Sequence, residues 1–470
     1  MLFALPSDDL RNPAITKAVA QANFNPKPKV QKPAIKPVKP TIKVPKVDPG
    51  RLGAGKGSSS TATQNQDNGQ SGATGGQRAS PDQGAAVPVP APRPVLSFGL
   101  PAIIDAPTEE QTILVVISEE FPDTGSQVAD RYSVDLLDET GLPLISARAL
   151  RVAVADGASR DEVVRAMASD PDIIAVQPVY LYFLQQSAAQ DRKAGPASLQ
   201  YAIDTLGLEN AHRISTGKQI PIAIIDTAAD FGHAEFSGTD AASINVSGFD
   251  AVPGAHGTAI AGILAAGSTL TGVSPDARIL SIQAFALDKN GHAHSTSFTI
   301  AKALDEAASA GARVINMSFA GPRDPVLLHA LDALADRNVL MIAAAGNNGP
   351  KAKPVYPGAH PQTIAVTAVD SAGKVFDGAN QGDYVEIAAP GVAILAPAPD
   401  GKYDTPTGTS MATAHISGVA ALLLEHQPEL TTSQLRNILT STAIDRGNEG
   451  ADPTYGAGLV DPLGALSSLR

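Results

Sequence analysis

Three residues that together could carry out acyl transfer stand far apart in the chain, each at the edge of an apolar run. Asp226 closes PIAIID, His256 stands among small residues in GAHGTAIAGILAA, and Ser410 opens TSMATAHISGVAALLL. A serine hydroxyl is a weak nucleophile until a base takes its proton. The base in turn needs a carboxylate to fix its tautomer and stabilise its charge. The oxygen of an attacked carbonyl becomes negative and needs a donor of its own. Asn347, in the Gly-flanked loop AAAGNNGP, offers a side-chain amide for that purpose. Taken singly, each residue has an ordinary reading: Asp226 and Ser410 as helix caps, His256 as a structural histidine. Their common placement at element ends favours the chemical one.

The elements around them alternate. PIAIIDT, ARILSIQAF, ARVINMSF, NVLMIAAAG and TIAVTAV are short, continuous apolar runs. TAIAGILAAG, STSFTIAKALDEAASAG and DPVLLHALDALADR between them have helical spacing. Strands apolar on both faces and separated by helices predict an α/β fold with a mostly parallel central sheet and helices on both faces. Such sheets gather chemistry at the carboxyl ends of their strands. Asp226 and Asn347 follow such ends.

The chain of 470 residues is long enough for several domains, and its composition divides it. Residues 1–97 form a Pro/Lys- and Gly/Ser-rich tail, expected to be disordered and extended where Pro and Lys interleave. Within it GRLGAGKG lacks the Ser or Thr of a phosphate-binding loop and any flanking strand and helix. Residues 98–183 read β-α-β-β-α-β, a small α+β split βαβ domain, with a capping box expected at Ser159 and Glu162. A polar connector covers 184–199, and the alternating region runs over 200–470. Net charge is −12, but residues 1–100 carry +8, so the remainder carries about −20. An acidic body of this kind disfavours nucleic acid as a partner. The sequence has no cysteine, which excludes disulfides and thiol catalysis, and no apolar stretch long enough to span a bilayer. The start MLFALPSDD is a poor signal peptide.

IAIIDT, HGTAIAG, INMSF, AAAGNNG and GTSMATAHISGVAALLL, in that order, resemble the motifs of the subtilisin-like serine peptidases, the subtilase family. The resemblance covers roughly residues 198–470 and extends to YGAGLVDPLGAL near the end. It implies a serine endopeptidase with polypeptide substrates and no cofactor. Asp226 would orient the imidazole, His256 act as general base and then acid, Ser410 as nucleophile, and Asn347 as oxyanion donor. Ser318, Phe319 and Ala320 would pair with substrate backbone, Gly346 would line the substrate site, and Asp288 to Ser297 would form the opposite wall. The small domain resembles the family's inhibitory propeptide, with self-cleavage expected between Phe183 and Ser198, so the chain would be its own first partner. Ala228 replaces the family's usual Gly, and Ala414 its usual Pro. The loop Ala265 to Pro275 lacks the asparagine-rich segment of calcium-binding relatives, so no metal is expected there. His415 and His233 read as structural. Lys351 and Lys353 fall near the expected specificity pocket and suggest tolerance for acidic or polar side chains.

Other classes fit less well. A catalytically inactive binding or regulatory relative would be expected to have lost one of the four site residues. An acyl hydrolase of another fold would carry Gly-x-Ser-x-Gly, and GTSMA lacks the second Gly. A dinucleotide-binding domain would need a glycine fingerprint after IAIIDT. A peptidase with its own inhibitor and a Pro/Lys spacer suits an exported or cell-envelope protein better than a cytoplasmic one.

Overall fold

Successive residues of the apolar runs face opposite sides of a sheet, and the core divides accordingly. In a computed structural model describing residues 106–185, 200–287 and 293–469, seven parallel strands form the central sheet. They are β5 (Pro221–Asp226), β6 (Ala241–Asn245), β7 (Arg278–Gln283), β9 (Val314–Met317), β11 (Leu340–Ala344), β12 (Thr363–Val369) and β13 (Val385–Pro390). Their order is β13-β12-β11-β9-β5-β7-β6. Ile222, Ile224, Val314, Leu340 and Ile342 point into one core, and Ala223, Ile225, Ile315, Met341 and Ala343 into another. The first core is closed by helices α3 (Ala255–Ala265) and α6 (Thr409–His426), the second by α4 (Ser297–Ser309) and α5 (Pro325–Asp336). Helix α6 is buried all round from Thr409 to Leu424, which is why its sequence shows no polar face. The connections reverse direction at β5, where a doubly wound sheet leaves a crevice beyond its strand ends.

The preceding segment folds as β1 (Thr108–Ser118), α1 (Gly125–Tyr132), β2 (Val134–Leu142), β3 (Ala147–Val154), α2 (Arg160–Met167) and β4 (Ile173–Leu184), in the order β-α-β-β-α-β. Helix α1 carries a capping box of its own, Thr124 with Gln127. At α2 only half of the expected box forms: Ser159 Oγ accepts the Glu162 N–H at 3.4 Å. The antiparallel sheet β2-β3-β1-β4 has two buried faces. On one, Ile113, Val115 and Val152 pack with Val128 of α1 and Met167 of α2. On the other, Leu114, Val116, Ala149 and Tyr180 share a core with Phe298 and Leu304 of α4 and Leu327 and Leu331 of α5.

The tail expected over residues 1–97 and the connector from residue 186 to 199 lie outside the described residues. Among the described residues no helix is long and apolar enough to cross a membrane.

Candidate active site

Strand β5 ends on Asp226, and the start of α3 is pressed against the residue after it. A Cβ at Gly257 would collide with the Thr227 carbonyl, and one at Gly254 with the Thr227 side chain. Gly257 N–H donates to Thr227 Oγ1 at 3.0 Å. This close approach, which only glycine permits, seats the His256 ring over the carboxylate. His256 Nδ1 lies 2.7 Å from Asp226 Oδ2 and 2.9 Å from Oδ1. Oδ1 also accepts the Thr227 N–H at 2.7 Å. Both Asp226 and His256 are buried, and His256 Nε2 has no hydrogen-bond partner among the described residues.

Ser410 is the second residue of α6, and it does not cap that helix. The N-cap is Gly408, with no side-chain cap bond, so the hydroxyls of Thr409 and Ser410 are free for the site. Ser410 Oγ lies 2.6 Å from the Gln185 carbonyl oxygen and 2.9 Å from that of Ser318. In this state the hydroxyl proton faces those carbonyls, and the Ser410–His256 hydrogen bond that base catalysis needs is not made. Asn347 Nδ2 donates to the same Gln185 oxygen at 2.6 Å. Its amide is oriented by Thr409, whose N–H (3.1 Å) and Oγ1 (2.9 Å) both reach Asn347 Oδ1. A carbonyl is therefore held between a buried hydroxyl and a fixed amide donor.

The segment bearing that carbonyl is the end of β4, which leaves its own sheet to run between two strands of the body. On one side lies β10 (Phe319–Ala320), paired antiparallel as Phe319 with Leu184 and Ala320 with Phe183. Gln185 N–H extends the ladder to Ser318 O at 3.1 Å. On the other side β8 (Ala293–Thr296) pairs as Thr296 with Leu181, Ser295 with Tyr182 and His294 with Phe183. Of the wall expected over Asp288 to Ser297, residues 288–292 lie outside the described residues. Gly346 takes positive φ (110°), and its backbone groups are spent within the body, N–H on Thr409 Oγ1 and C=O on Asn380 N–H. It therefore contributes shape to the site and no ladder bond. Ser318 does more than a ladder position would: its hydroxyl donates to Ser410 O at 3.1 Å and accepts from Asn316 Nδ2 at 2.9 Å.

Lys351 and Lys353 are exposed, and the Gln185 side chain turns elsewhere: its Oε1 accepts the Asn347 N–H at 2.9 Å. The loop after α3 is organised by a buried carboxyl group. Glu235 accepts the N–H groups of Ser268, Thr269 and Leu270 at 3.0 to 3.2 Å and the Tyr403 hydroxyl at 2.6 Å. His233 Nδ1 accepts the Glu235 N–H and its Nε2 meets Lys402 O, a structural role. Among the described residues no group of three or more His, Asp or Glu is gathered at one place.

His415 is buried in α6 with Nδ1 donating to Met411 O at 2.8 Å, and burial pushes its pKa down to about 4. The unfolded chain binds a proton near pH 6.5 that the folded chain refuses until about pH 4. This group's stabilising effect is thus full above pH 6.5 and is lost as pH falls toward 4, by up to about 3 kcal/mol. Thermal unfolding of Ser410→Ala protein from pH 7 to 4.5 should show that slope, and His415→Gln should flatten it. Equal slopes would assign the acid sensitivity elsewhere.

No local sequence pattern marks Thr227, Thr409, Gln185 or Asp324 as a site residue. The two threonines adjoin Asp226 and Ser410, and that adjacency was the available signal.

Comparison with known proteins bears on this arrangement. A family model described as the subtilase family matches residues 217–458. Subtilisin E of Bacillus subtilis is 30% identical over 352 residues, covering 73% of this chain and 87% of the relative. Subtilisin DY of Bacillus licheniformis is 35% identical over 251 residues, covering 52% and 90%. The solved structure of fervidolysin from Fervidobacterium pennivorans, a keratinolytic enzyme related to subtilisin, superposes with a TM-score of 0.66 at 26% identity. That match covers 78% of this chain and 62% of fervidolysin's.

Proposed function

Since the chain belongs to the subtilase family of serine endopeptidases, we propose that Asp226, His256 and Ser410 are its catalytic triad and that the bond following Gln185 is its first substrate. The observation that carries this reading is the Gln185 carbonyl, held at 2.6 Å from both Ser410 Oγ and Asn347 Nδ2. Asp226 keeps the proton of His256 on Nδ1, leaving Nε2 to take the Ser410 proton. Ser410 Oγ attacks the carbonyl carbon, and the negative oxygen is stabilised by Asn347 Nδ2. His256 returns the proton to the leaving amine, the C–N bond breaks, and water then hydrolyses the acyl-enzyme by the same path in reverse. Substrates bind as an extended strand between β8 and β10, with affinity from main-chain hydrogen bonds.

The small β-α-β-β-α-β unit is, in this reading, an inhibitory propeptide: its last strand occupies the cleft in the direction a substrate would. Strand pairing up to Gln185 supports the bond after Gln185 as the processing point, within the range expected from sequence between Phe183 and Ser198.

Two measurements test the proposal. A fluorophosphonate should label the protein on Ser410, and intact-mass analysis should find a processed chain that begins at residue 186. Labelling elsewhere, or none, would sink the triad. A cut elsewhere in the connector would sink the processing site alone. Asn347→Leu should lower kcat by about 10² to 10³ with little change in KM, since the amide acts chiefly on the oxyanion.

A further inference from the structure

Counting back from the bond after Gln185, the fourth residue is Tyr182, and its side chain is fully buried in the body. Its ring meets Phe319 edge-on, with centroids 5.8 Å apart and planes at 88°. The ring also lies against Gly321, where any Cβ would collide with it. Phe285 backs Phe319 at 5.4 Å. At the floor of this slot the Tyr182 hydroxyl donates to Asp324 Oδ2 at 3.0 Å. Asp324 is itself fully buried and is the N-cap of α5. The cap uses the other oxygen: Oδ1 accepts Val326 N–H at 2.9 Å, Leu327 N–H at 3.1 Å and Gln177 Nε2 at 2.8 Å. One carboxylate oxygen thus holds the helix while the other faces the phenol.

We propose that Asp324 makes this peptidase selective for polypeptides with tyrosine four residues before the cleaved bond, by accepting a hydrogen bond from the phenol hydroxyl. The inference rests on the reading of β4 as a substrate-like strand. Asp324, Phe319 and Gly321 belong to the body, whereas Tyr182 and Gln177 precede the bond after Gln185 and depart with the propeptide. The emptied slot then holds an acid that has lost two donors, and an incoming tyrosine restores the one on Oδ2 and covers that oxygen again. Phenylalanine would fill the same ring-shaped space and leave that oxygen unpaired, a loss that grows with burial. Burial and the facing carboxylate hold the Tyr182 phenol well above its ordinary range, so it stays a donor. Lysine would bring charge but leave the walls at Phe319 and Gly321 without a ring to cover.

The test uses protein expressed as the full chain, its active sites counted by fluorophosphonate labelling. Three fluorogenic peptides carry Tyr-Phe-Leu-Gln, Phe-Phe-Leu-Gln or Lys-Phe-Leu-Gln before the reporter. The Tyr peptide should exceed both others in kcat/KM by about tenfold or more, the scale of a hydrogen bond to a charged group. Asp324→Ser keeps a side-chain oxygen for the cap and should bring the Tyr/Phe ratio of kcat/KM to about one. The wild-type comparison stands without that variant. Labelled protein that cuts the Tyr and Phe peptides, or the Tyr and Lys peptides, equally well overturns the inference and leaves the triad intact. Labelled protein that ignores all three peptides, or an unchanged Tyr/Phe ratio in Asp324→Ser, overturns it too. Protein that neither labels nor cuts any peptide removes the triad reading, and the inference falls with it.

Discussion

Replacing Ser410 with alanine is expected to lower kcat by about 10⁶, the scale on which an enzyme of this chemistry loses its nucleophile, and to leave the chain uncut after Gln185. The size follows from where the hydroxyl sits. It is buried, with its oxygen 2.6 Å from the oxygen of the carbonyl group whose carbon it would attack, and alanine leaves nothing else of the right type there. The fold should survive, because Ser410 makes no cap bond and the α6 core lies behind it. The Ser410→Ala chain should therefore still unfold cooperatively, and it should run longer than wild type on a denaturing gel. An alanine variant that still shortens itself would show that another nucleophile, or another protease, makes the cut.

Asp226→Asn should lower kcat by about 10⁴ near neutral pH with KM nearly unchanged. The reason is local. Asp226 Oδ1 accepts the Thr227 N–H at 2.7 Å, so an asparagine must keep its oxygen on that side. Its NH₂ then falls where Oδ2 accepted the His256 Nδ1 proton. A donor facing Nδ1 forces the ring proton onto Nε2, the nitrogen that must be bare to take a proton from Ser410. A pre-steady-state burst assay resolves this, because acylation should slow while substrate binding persists. A variant with kcat within tenfold of wild type would mean that Asp226 does not set the tautomer.

The five inner strands were legible because each is a near-continuous apolar run, buried on both faces. The two edge strands were not. In β6, AASIN, every residue is partly or fully exposed, and β13, VEIAAP, carries a partly exposed glutamate and ends on proline. At β6 the exposed flank weakens the apolar signal; β13 is buried except at its glutamate, and there the glutamate and the closing proline break the run. Site residues were legible where type and position coincide: an acid at a strand end, an imidazole and a hydroxyl at helix starts. The capping reading of Ser410 fails because tertiary contact gives the hydroxyl better partners than its own helix. Asp324 shows the limit most clearly. The sequence DPVLLHAL predicts a helix with an acid before it, and the acid does cap that helix. Its second oxygen meets a tyrosine 142 residues earlier in the chain, a pairing that no local pattern encodes.

The sheet that carries β4 is clothed on one face by its own helices and on the other by α4 and α5 of the body. Half of its interior is borrowed. Under the proposed processing, cutting after Gln185 severs the tether and with it the high local concentration that favours redocking. Once adrift, the unit would expose Leu114, Val116 and Tyr180 to water, and so small a domain has little surplus stability to set against that. It would unfold rather than wait to return. Separation would then run in one direction only, as a ratchet does, with the lent core surface as its pawl.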